Sequence, residues 1–362
     1  MNERQSILEI STSAFKHNVN EIKRLIGPNK DIMYVMKANS YGTYLNKNIS
    51  LIKDFKIIAT AIVKEAMDLR HDGFKNEIFV LNQPYLEDIE NIIKYNVTVG
   101  VADLNFIKEL SNHKETFTIH LELETGMGRT GFNINDLDEV LNYLKTTTNI
   151  NVEGVYTHLS TADKDKEFTN HQMSLFEQGV TKIKEYYPNI KYIHAEASNG
   201  ILNVNSKICN LVRPGIILYG YTPTDTILTK IDLKPVAKLK SHISFIKEVE
   251  EGTSISYGRT FITPKKMTIA TVAIGYADGI RRNLSNKGKV VVKDTIANIV
   301  GTVCMDSFMI DVTNIKDVKV GDYVYIWDNK NITLEDVARE CNTINYEILS
   351  TISNRVPRVF ID

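Results

Sequence analysis

The chain has 362 residues, of which 43% are hydrophobic and 24% are charged, and its formal net charge is −1. This composition is typical of a globular protein with room for two domains, or for one barrel and an appended domain. The balanced charge argues against a binder of nucleic acid or anionic membranes, and no run reaches the roughly 20 apolar residues of a membrane span.

Three cysteines, Cys209, Cys304 and Cys341, are far apart and odd in number. Their spacing fits neither a disulfide framework nor a metal site. The N-terminal residues lead into no hydrophobic signal segment. We therefore expect a cytoplasmic protein without a metal; the cytoplasmic domain of a longer membrane protein would have the same features.

The first two-thirds of the chain alternate short β-branched runs with amphipathic stretches, a pattern typical of repeated βα units. Amphipathic segments such as 85–95 and 168–187 predict helices. Eight strands in this length predict a TIM (β/α)8 barrel over residues 11–228. A doubly wound α/β fold is the alternative, but no Gly-x-Gly-x-x-Gly follows the first strand. The predicted strands are 31–37, 56–63, 77–82, 97–101, 117–123, 151–157, 190–195 and 208–213.

After about residue 225 the pattern changes to strand-like runs between Gly, Asn and Asp turns. This pattern predicts a mostly β domain over residues 229–362, which the N-terminal segment 1–10 could join. A helix is expected near 333–341. The strand-like runs are 236–249, 267–274, 289–300, 308–312 and 323–327.

Lys37 lies where the first predicted barrel strand ends, in the sequence YVMKANSYG. An ε-amine that is partly removed from water loses its proton more easily and can form a Schiff base with an aldehyde. The ordinary interpretation is a lysine that caps the strand and reaches solvent. The position therefore marks Lys37 as a candidate nucleophile.

Two segments follow the seventh and eighth predicted strands, where TIM barrels often bind phosphate. Residues 197–200 (ASNG) predict a small flexible turn with the hydroxyl of Ser198. In residues 213–216 (RPGI), Pro214 at a first helical position would expose backbone N–H groups to an anion. Either segment alone reads as an ordinary βα turn; together with Lys37 they predict an anion site.

Six blocks in order along the chain resemble those of the alanine racemase family. The resemblance implies a TIM barrel with pyridoxal 5'-phosphate (PLP) on Lys37, followed by a β domain. It also implies racemisation of a small amino acid, with D-amino acids supplied to peptidoglycan precursors. The blocks are KANSYG at 37–42, ETGMGRTGF at 124–132, VRPGIILYG at 212–220, ISYGRTF at 255–261, GYADG at 275–279 and GTVCMD at 301–306.

The resemblance assigns roles to the barrel residues. Arg213 would face the pyridine nitrogen of the cofactor and keep it unprotonated, because guanidinium does not readily release a proton; a pair with a helix carboxylate is the alternative for Arg213. His158 would belong to the cofactor site as a supporting residue. The residues expected to hold the cofactor phosphate are Tyr41, Ser198, Gly215 and Ile216.

The block around Arg129 carries substrate recognition in the family, because a guanidinium matches a carboxylate. Many family members have a lysine upstream, carbamylated in some, whose negative charge orients this arginine. Glu122 occupies that position here and needs no modification to be negative. We therefore expect a Glu122–Arg129 pair.

Racemisation requires a proton to leave one face of Cα and another to arrive on the opposite face, so it needs two bases. By resemblance these are Lys37 and Tyr257, with His158 and Arg213 as candidates to stabilise the phenolate. Tyr276 would form the entrance, Met305 would contact the substrate carboxylate, and Asp306 would support it. In the family, residues of the β domain act across a homodimer interface.

The C-terminal block ISNRVPR departs from the family because Asn354 replaces a tyrosine beside the substrate side chain. Asn354 is shorter and offers a donor and an acceptor, which favours a hydroxyl and hence serine. The same exchange occurs in the serine racemase domains of glycopeptide (vancomycin) resistance, which this sequence also resembles. Neutral drift is the alternative.

Two other functions are compatible with such a chain. One is a PLP-dependent amino-acid decarboxylase with the same barrel and β domain. The other is a non-catalytic PLP-binding protein built on the barrel alone. The Met-Gly-Arg and Ser-Tyr-Gly-Arg blocks speak against the first, and the presence of the β domain speaks against the second.

Overall fold

The computed structural model describes residues 6–204, 206–223 and 227–362. These residues form two compact units. The barrel unit comprises residues 17–40 and 44–233. The β unit comprises the described residues up to Lys16, then Tyr41–Thr43 and Lys234–Asp362.

Eight parallel strands form the sheet of the barrel unit, in the order β8-β7-β6-β5-β4-β3-β2-β9. Its two ends are joined by hydrogen bonds from Asn210 N to Ile193 O (3.1 Å) and from Arg213 N to Glu196 O (2.8 Å). The predicted TIM barrel is confirmed, and each predicted strand matches an observed one to within three residues. After β1 (Ile7–Ser11), which belongs to the β unit, the strands are β2 (Asp31–Val35), β3 (Ile57–Thr60), β4 (Glu77–Val80), β5 (Thr98–Val101), β6 (Phe117–Glu122), β7 (Ile150–Tyr156), β8 (Tyr192–His194) and β9 (Leu211–Val212).

Helices connect the barrel strands and bury an apolar face. The helix Leu104–Ser111 begins where the Asp103 carboxylate accepts hydrogen bonds from two backbone N–H groups, a strong N-cap. Within the described residues, no helix is both long enough and apolar enough to cross a membrane. The other α-helices up to residue 233 are Thr12–Ile26, Ile49–Ile52, Val63–His71, Ile89–Tyr95, Leu137–Leu144, Lys166–Tyr186 and Ser198–Asn203; the 3-10 helices are Leu45–Lys47, Leu86–Asp88, Ile134–Asp136 and Ile216–Tyr219.

The β unit is built on an eight-stranded sheet of order β13-β16-β15-β14-β17-β10-β1-β18, which curls because β10 also pairs with β13. Its strands after β1 are β10 (Ala237–Val249), β11 (Ser254–Ile255), β12 (Phe261–Ile262), β13 (Met267–Val272), β14 (Lys289–Val292), β15 (Thr295–Val300), β16 (Phe308–Asp311), β17 (Tyr323–Trp327) and β18 (Arg358–Ile361). Its helices are Leu334–Glu340 and Asn345–Ser350, with 3-10 helices at Tyr257–Arg259, Tyr276–Asp278 and Arg282–Leu284.

The prediction of one strand over 289–300 is wrong. The chain reverses between β14 and β15, which pair antiparallel with Val292 opposite Thr295. The two turn residues, Lys293 and Asp294, have φ angles of 48° and 58°. Tight hairpins favour positive φ at both central positions, and the usual Asn-Gly signal for such a turn is missing here.

Candidate active site

Lys37 follows β2 and begins a left-handed turn. Ala38, Asn39, Ser40 and Tyr41 have φ angles between 50° and 56°. Each L-residue costs roughly 1–2 kcal/mol in this conformation, so the surrounding structure has to impose the turn. The buried hydroxyl of Ser40 does part of this, since it accepts from Asn46 N (2.9 Å) and donates to Asn46 Oδ1 (3.0 Å).

The Lys37 amine lies in an environment that favours its neutral form. Burial lowers its pKa, and the positive charges of Arg129 and Arg213 lower it further, while the Glu65 carboxylate opposes them. Glu65 also accepts a hydrogen bond from Ala38 N (2.6 Å), which fixes the backbone beside the lysine. A lysine with these neighbours is suited to covalent bond formation with a carbonyl.

Arg213 is buried, with 3% of its surface exposed. Its Nη1 donates to His194 Nδ1 (2.8 Å) and His194 O (2.9 Å), and its Nη2 donates to Thr157 O (2.8 Å). Burial lowers the pKa of the guanidinium without supplying a base able to take its proton. The acceptors of Arg213 are thus imidazole and carbonyl groups. The alternative for Arg213, a pair with a helix carboxylate, is not what these hydrogen bonds form.

His158 follows β7 next to Arg213, whose Nη2 is 3.4 Å from His158 Nδ1. Burial, together with the charges of Arg213, Arg129 and Lys37, lowers the pKa of His158 to about 3. The ring is therefore neutral at physiological pH and can accept a hydrogen bond. This places His158 among the cationic groups of the barrel without adding a charge to them.

Glu122 and Arg129 lie close together: Arg129 Nη2 is 3.9 Å from Glu122 Oε1. The Glu122 carboxylate is buried at the end of β6, and burial raises its pKa. Its Oε2 accepts from Thr130 Oγ1 (2.9 Å) and from the hydroxyl of Tyr156 (3.1 Å). The carboxylate is thus anchored on one side, and Arg129, whose side chain is 51% exposed, stays available to a second anion.

Glu124 was missed by the sequence reasoning, although it shapes the loop that carries Arg129. Its carboxylate accepts hydrogen bonds from the backbone N–H groups of Gly126, Gly128 (2.9 Å) and Arg129 (3.2 Å). Burial alone would raise the pKa of Glu124, but these backbone donors lower it overall. An acidic residue two positions before a Gly-x-Gly turn was the available signal.

The two segments expected to hold a phosphate meet at one hydrogen bond, from Gly215 N to Ser198 Oγ (2.9 Å). Two details of the prediction are wrong. The helix Ser198–Asn203 begins at Ser198, so ASNG is not a turn, and the 3-10 helix begins at Ile216, two residues after Pro214. The first backbone N–H groups of a helix have no partner within it, and in these two helices they lie next to Ser198 and Gly215 in the sequence.

The β unit contains the remaining predicted residues. Tyr257 starts a 3-10 turn whose backbone is held by Thr302: Thr302 Oγ1 donates to Tyr257 O (2.9 Å), and Thr302 O accepts from Ser256 Oγ (2.6 Å). Asp306 accepts from Arg355 Nη2 (2.6 Å). The side chains of this group are largely exposed within one chain: Tyr257 (73%), Met305 (52%), Tyr276 (42%) and Asn354.

Tyr41 is assigned to the β unit although it follows Lys37 by four positions. Its ring is buried and lies 5.9 Å from the ring of Tyr346, and burial raises the pKa of its hydroxyl. The next residue, Gly42, accepts a hydrogen bond from Arg358 Nε (2.8 Å). The left-handed turn therefore leads the chain from Lys37 into the β unit.

A nucleophilic lysine, buried cations and a carboxylate at the C-terminal ends of barrel strands define an enzyme of the TIM-barrel class. Two family models match the chain: "Alanine racemase, N-terminal domain" at residues 10–223 and "Alanine racemase, C-terminal domain" at residues 236–360. The chain belongs to the alanine racemase family, whose members are isomerases.

Individual relatives match over nearly the whole chain. "Alanine racemase 2" of Caldanaerobacter subterraneus is 38% identical, with 99% of this chain and 95% of the relative covered. The alanine racemase of Desulforamulus reducens is also 38% identical, with 98% of each covered. These relatives do not favour a decarboxylase or a non-catalytic PLP-binding protein.

Solved structures agree with the fold. The alanine racemase of Clostridium difficile 630 matches with a TM-score of 0.91 at 35% identity, covering 99% of this chain and 96% of that chain. The alanine racemase of Bacillus anthracis with bound L-Ala-P matches with a TM-score of 0.91 at 34% identity, covering 99% and 95%.

Proposed function

We propose that the protein is a PLP-dependent racemase that interconverts L- and D-alanine and supplies D-alanine for peptidoglycan precursors. The observation that carries this proposal is the Lys37 amine, whose pKa is lowered by burial and by the charges of Arg129 and Arg213. It lies in a chain that resembles alanine racemases from end to end. Its three cysteines are unpaired, in keeping with a reducing cytoplasm.

The donor groups of the barrel fit this cofactor. Lys37 would bond its aldehyde, and Arg213 would face its pyridine nitrogen. The phosphate would be held by Ser198, Gly215, Ile216 and the hydroxyl of Tyr41. Bound PLP supplies an electron sink that makes the Cα–H bond of an attached amino acid acidic.

The residues of the chain then have to orient the substrate and move the proton. Arg129, braced by Glu122, would bind the substrate carboxylate together with Met305. Lys37 would exchange the proton on one face of Cα, and Tyr257 on the other. Because the pKa of His158 is lowered to about 3, its neutral ring binds a proton only weakly, and the guanidinium of Arg213 has no acceptor atom; neither is therefore a competing base near Lys37.

Purified protein tests the proposal directly. The wild-type protein should absorb visible light through bound cofactor and should racemise L-alanine. Lys37→Ala should lose the absorbance and reduce racemisation to background. Lys64→Ala, which removes an exposed lysine paired with Asp68, is the matched control and should change neither. Undiminished racemisation by Lys37→Ala would refute the assignment.

We further propose a homodimer in which Tyr257 of the partner subunit completes each site. The exposure of Tyr257 and Met305 within one chain supports this, because a catalytic phenol needs a desolvated environment. Inactive Lys37→Ala and Tyr257→Phe subunits should regain about one quarter of wild-type activity when exchanged, because half of the mixed population would carry one intact site. Sites confined to single chains would regain none.

Serine is proposed as a second substrate. The supporting observation is that asparagine, a short side chain with both a donor and an acceptor, occupies position 354. A hydroxyl that finds partners there gains binding energy that a methyl group does not. Comparing kcat/KM for L-serine and L-alanine in the wild-type protein tests this, and a serine rate indistinguishable from background would overturn it.

A further inference from the structure

A line of polar contacts runs from Arg213 through the interior of the barrel. His194 Nδ1 accepts from Arg213 Nη1 (2.8 Å), and His194 Nε2 lies 2.9 Å from His120 Nδ1. His120 Nε2 is buried without a hydrogen-bond partner among the described residues, and the acceptor it faces is Glu153 Oε2, 3.7 Å away. Lys191 Nζ donates to the other oxygen of Glu153 (2.8 Å). The line thus connects the loop after β9 with the segment that precedes β8.

The position of each proton in this line follows from its Arg213 end, and the carboxylate at the Glu153 end favours the same order. Both imidazoles are completely buried, and burial holds the pKa of His194 and of His120 below the usual value, so both are neutral. A guanidinium can only donate, so His194 Nδ1 is bare and its Nε2 carries the proton. That proton is donated to His120 Nδ1, which leaves the proton of His120 on Nε2, facing Glu153.

The same proton order argues against a metal ion at this place. Ligand atoms of Glu77, His120 and Glu153 lie within 4.8 Å of one another, a spacing compatible with a metal site. A metal needs an unprotonated ring nitrogen, whereas His120 Nε2 carries hydrogen here. The Lys191 ammonium already neutralises the carboxylates, at 2.8 Å from Glu153 and 3.9 Å from Glu77. The carboxylates of Glu77 and Glu153 are better explained as the acceptor groups that the protonated Nε2 of His120 faces.

Glu153 is the member of the acid pair that stays ionised. The facing His120 ring and the hydrogen bond from Lys191 hold its pKa below the usual value. Burial and the charge of Glu153 raise the pKa of Glu77, which therefore keeps its proton more readily. One negative charge is thus placed next to the only proton-bearing nitrogen of His120.

We propose that Glu153 is a positioning residue for Arg213 and acts through His120 and His194. Its carboxylate selects the Nε2–H form of His120, which in turn selects the Nε2–H form of His194, so that an unprotonated nitrogen faces Arg213. The consequence for racemisation depends on the proposed function, because only there does Arg213 contact the cofactor. The proton order itself does not depend on it.

Glu153→Gln tests the proposal with an almost isosteric change. Because Lys191 can only donate, it attracts the amide oxygen, and the amide NH2 then faces His120 Nε2–H. Two donors oppose each other, and reversing the line would place an N–H of His194 against Arg213. We expect a change of protonation at a ring nitrogen of His120 or His194, seen by 15N NMR of the full-length protein. We also expect racemisation to fall about 3- to 30-fold, the usual range for changes along such networks.

Two further variants separate positioning from stability. In Glu153→Gln/Lys191→Met the amide can turn its oxygen to His120, so the wild-type ring signals and most of the activity should return. Glu9→Gln removes a comparable half-buried carboxylate, paired with Lys240 at 2.5 Å in the β unit, and should leave both readouts unchanged. Wild-type ring signals in Glu153→Gln would overturn the proposal, as would failure of the double variant to restore them. If the purified protein held no PLP but its histidine signals behaved as expected in all variants, the proposed function would be refuted and the positioning role of Glu153 would stand.

Discussion

The two groups of candidate catalytic residues differ in how much of their environment one chain supplies. In the barrel unit, Arg213 and Glu122 are buried and hydrogen-bonded within the chain. In the β unit, Tyr257 and Met305 expose more than half of their surface, although the backbone at Tyr257 is held in place. The barrel group therefore has its charged groups buried and hydrogen-bonded, whereas the side chains of the β group are left exposed.

This difference in exposure separates two kinds of functional residue: groups with shifted pKa values and groups that contact another molecule. Shifting a pKa requires burial and fixed charges, and the barrel supplies both around Lys37 and His158. A side chain that contacts another molecule, by contrast, has to be exposed in the isolated chain. Changes to the buried residues of the barrel unit should thus affect stability and chemistry together, whereas changes to exposed residues, including those of the β group, should affect chemistry alone.

The largest contrast is expected between two Arg→Lys changes. Arg213→Lys loses planar donors to His194 and Thr157 in a buried site, and hydrogen bonds of charged groups are worth about 1.5–3 kcal/mol each. We expect a loss of about 2–3 kcal/mol in the free energy of unfolding and a racemisation rate at least about tenfold lower. Arg129→Lys, at a half-exposed ion pair, should cost less than about 1 kcal/mol of stability. Equal stability losses from urea unfolding would show that burial does not decide what a change in the barrel unit costs.

The pH dependence of stability tests how strongly the surroundings of His158 disfavour its protonated form. Its folded pKa of about 3 lies below the value of about 6.5 expected in the unfolded chain, so the unfolded chain binds the proton first. Stability should therefore decrease as pH falls from about 6 to 4, by about 1.4 kcal/mol per pH unit from this residue. His158→Asn should reduce the slope of unfolding free energy against pH, and an unchanged slope would show that His158 is solvated.

The smallest effect is expected at Asn354, on the exposed surface of the β unit. Asn354→Tyr replaces a short amide by a bulky phenol whose hydroxyl lies farther from the backbone, so it should lower kcat/KM for L-serine relative to L-alanine by about 1–2 kcal/mol, or roughly 5- to 30-fold. Its effect on unfolding should stay within about 0.5 kcal/mol, as for surface changes. An unchanged serine-to-alanine ratio would mean that Asn354 does not select the substrate.

Much of the barrel could be predicted because its strands are buried on both faces. Such strands are mostly apolar runs, as at Asp31–Val35, and their ends place Lys37 and Glu122 at one edge of the sheet. The resemblance of short blocks then provided roles for Arg129, Arg213 and Tyr257. Those roles remain proposals.

The features that could not be predicted depend on contacts between distant parts of the chain. The left-handed turn after Lys37 is unfavourable for its own residues, so no local propensity indicates it. His194 and His120 are 74 positions apart and meet only because β6 and β8 lie in one barrel. The hairpin at Lys293 and Asp294 was missed because these residues are less typical of a tight turn than Asn-Gly.

The central claim is that the half-buried Lys37 and the exposed Tyr257 are two bases on opposite faces of the substrate. The most direct test is α-proton exchange in deuterated water, measured for each alanine enantiomer with Tyr257→Phe. We predict that racemisation falls by about 10²- to 10⁴-fold, while one enantiomer still exchanges its proton through Lys37 and the other does not. Exchange from both enantiomers at wild-type rates would contradict the two-base account.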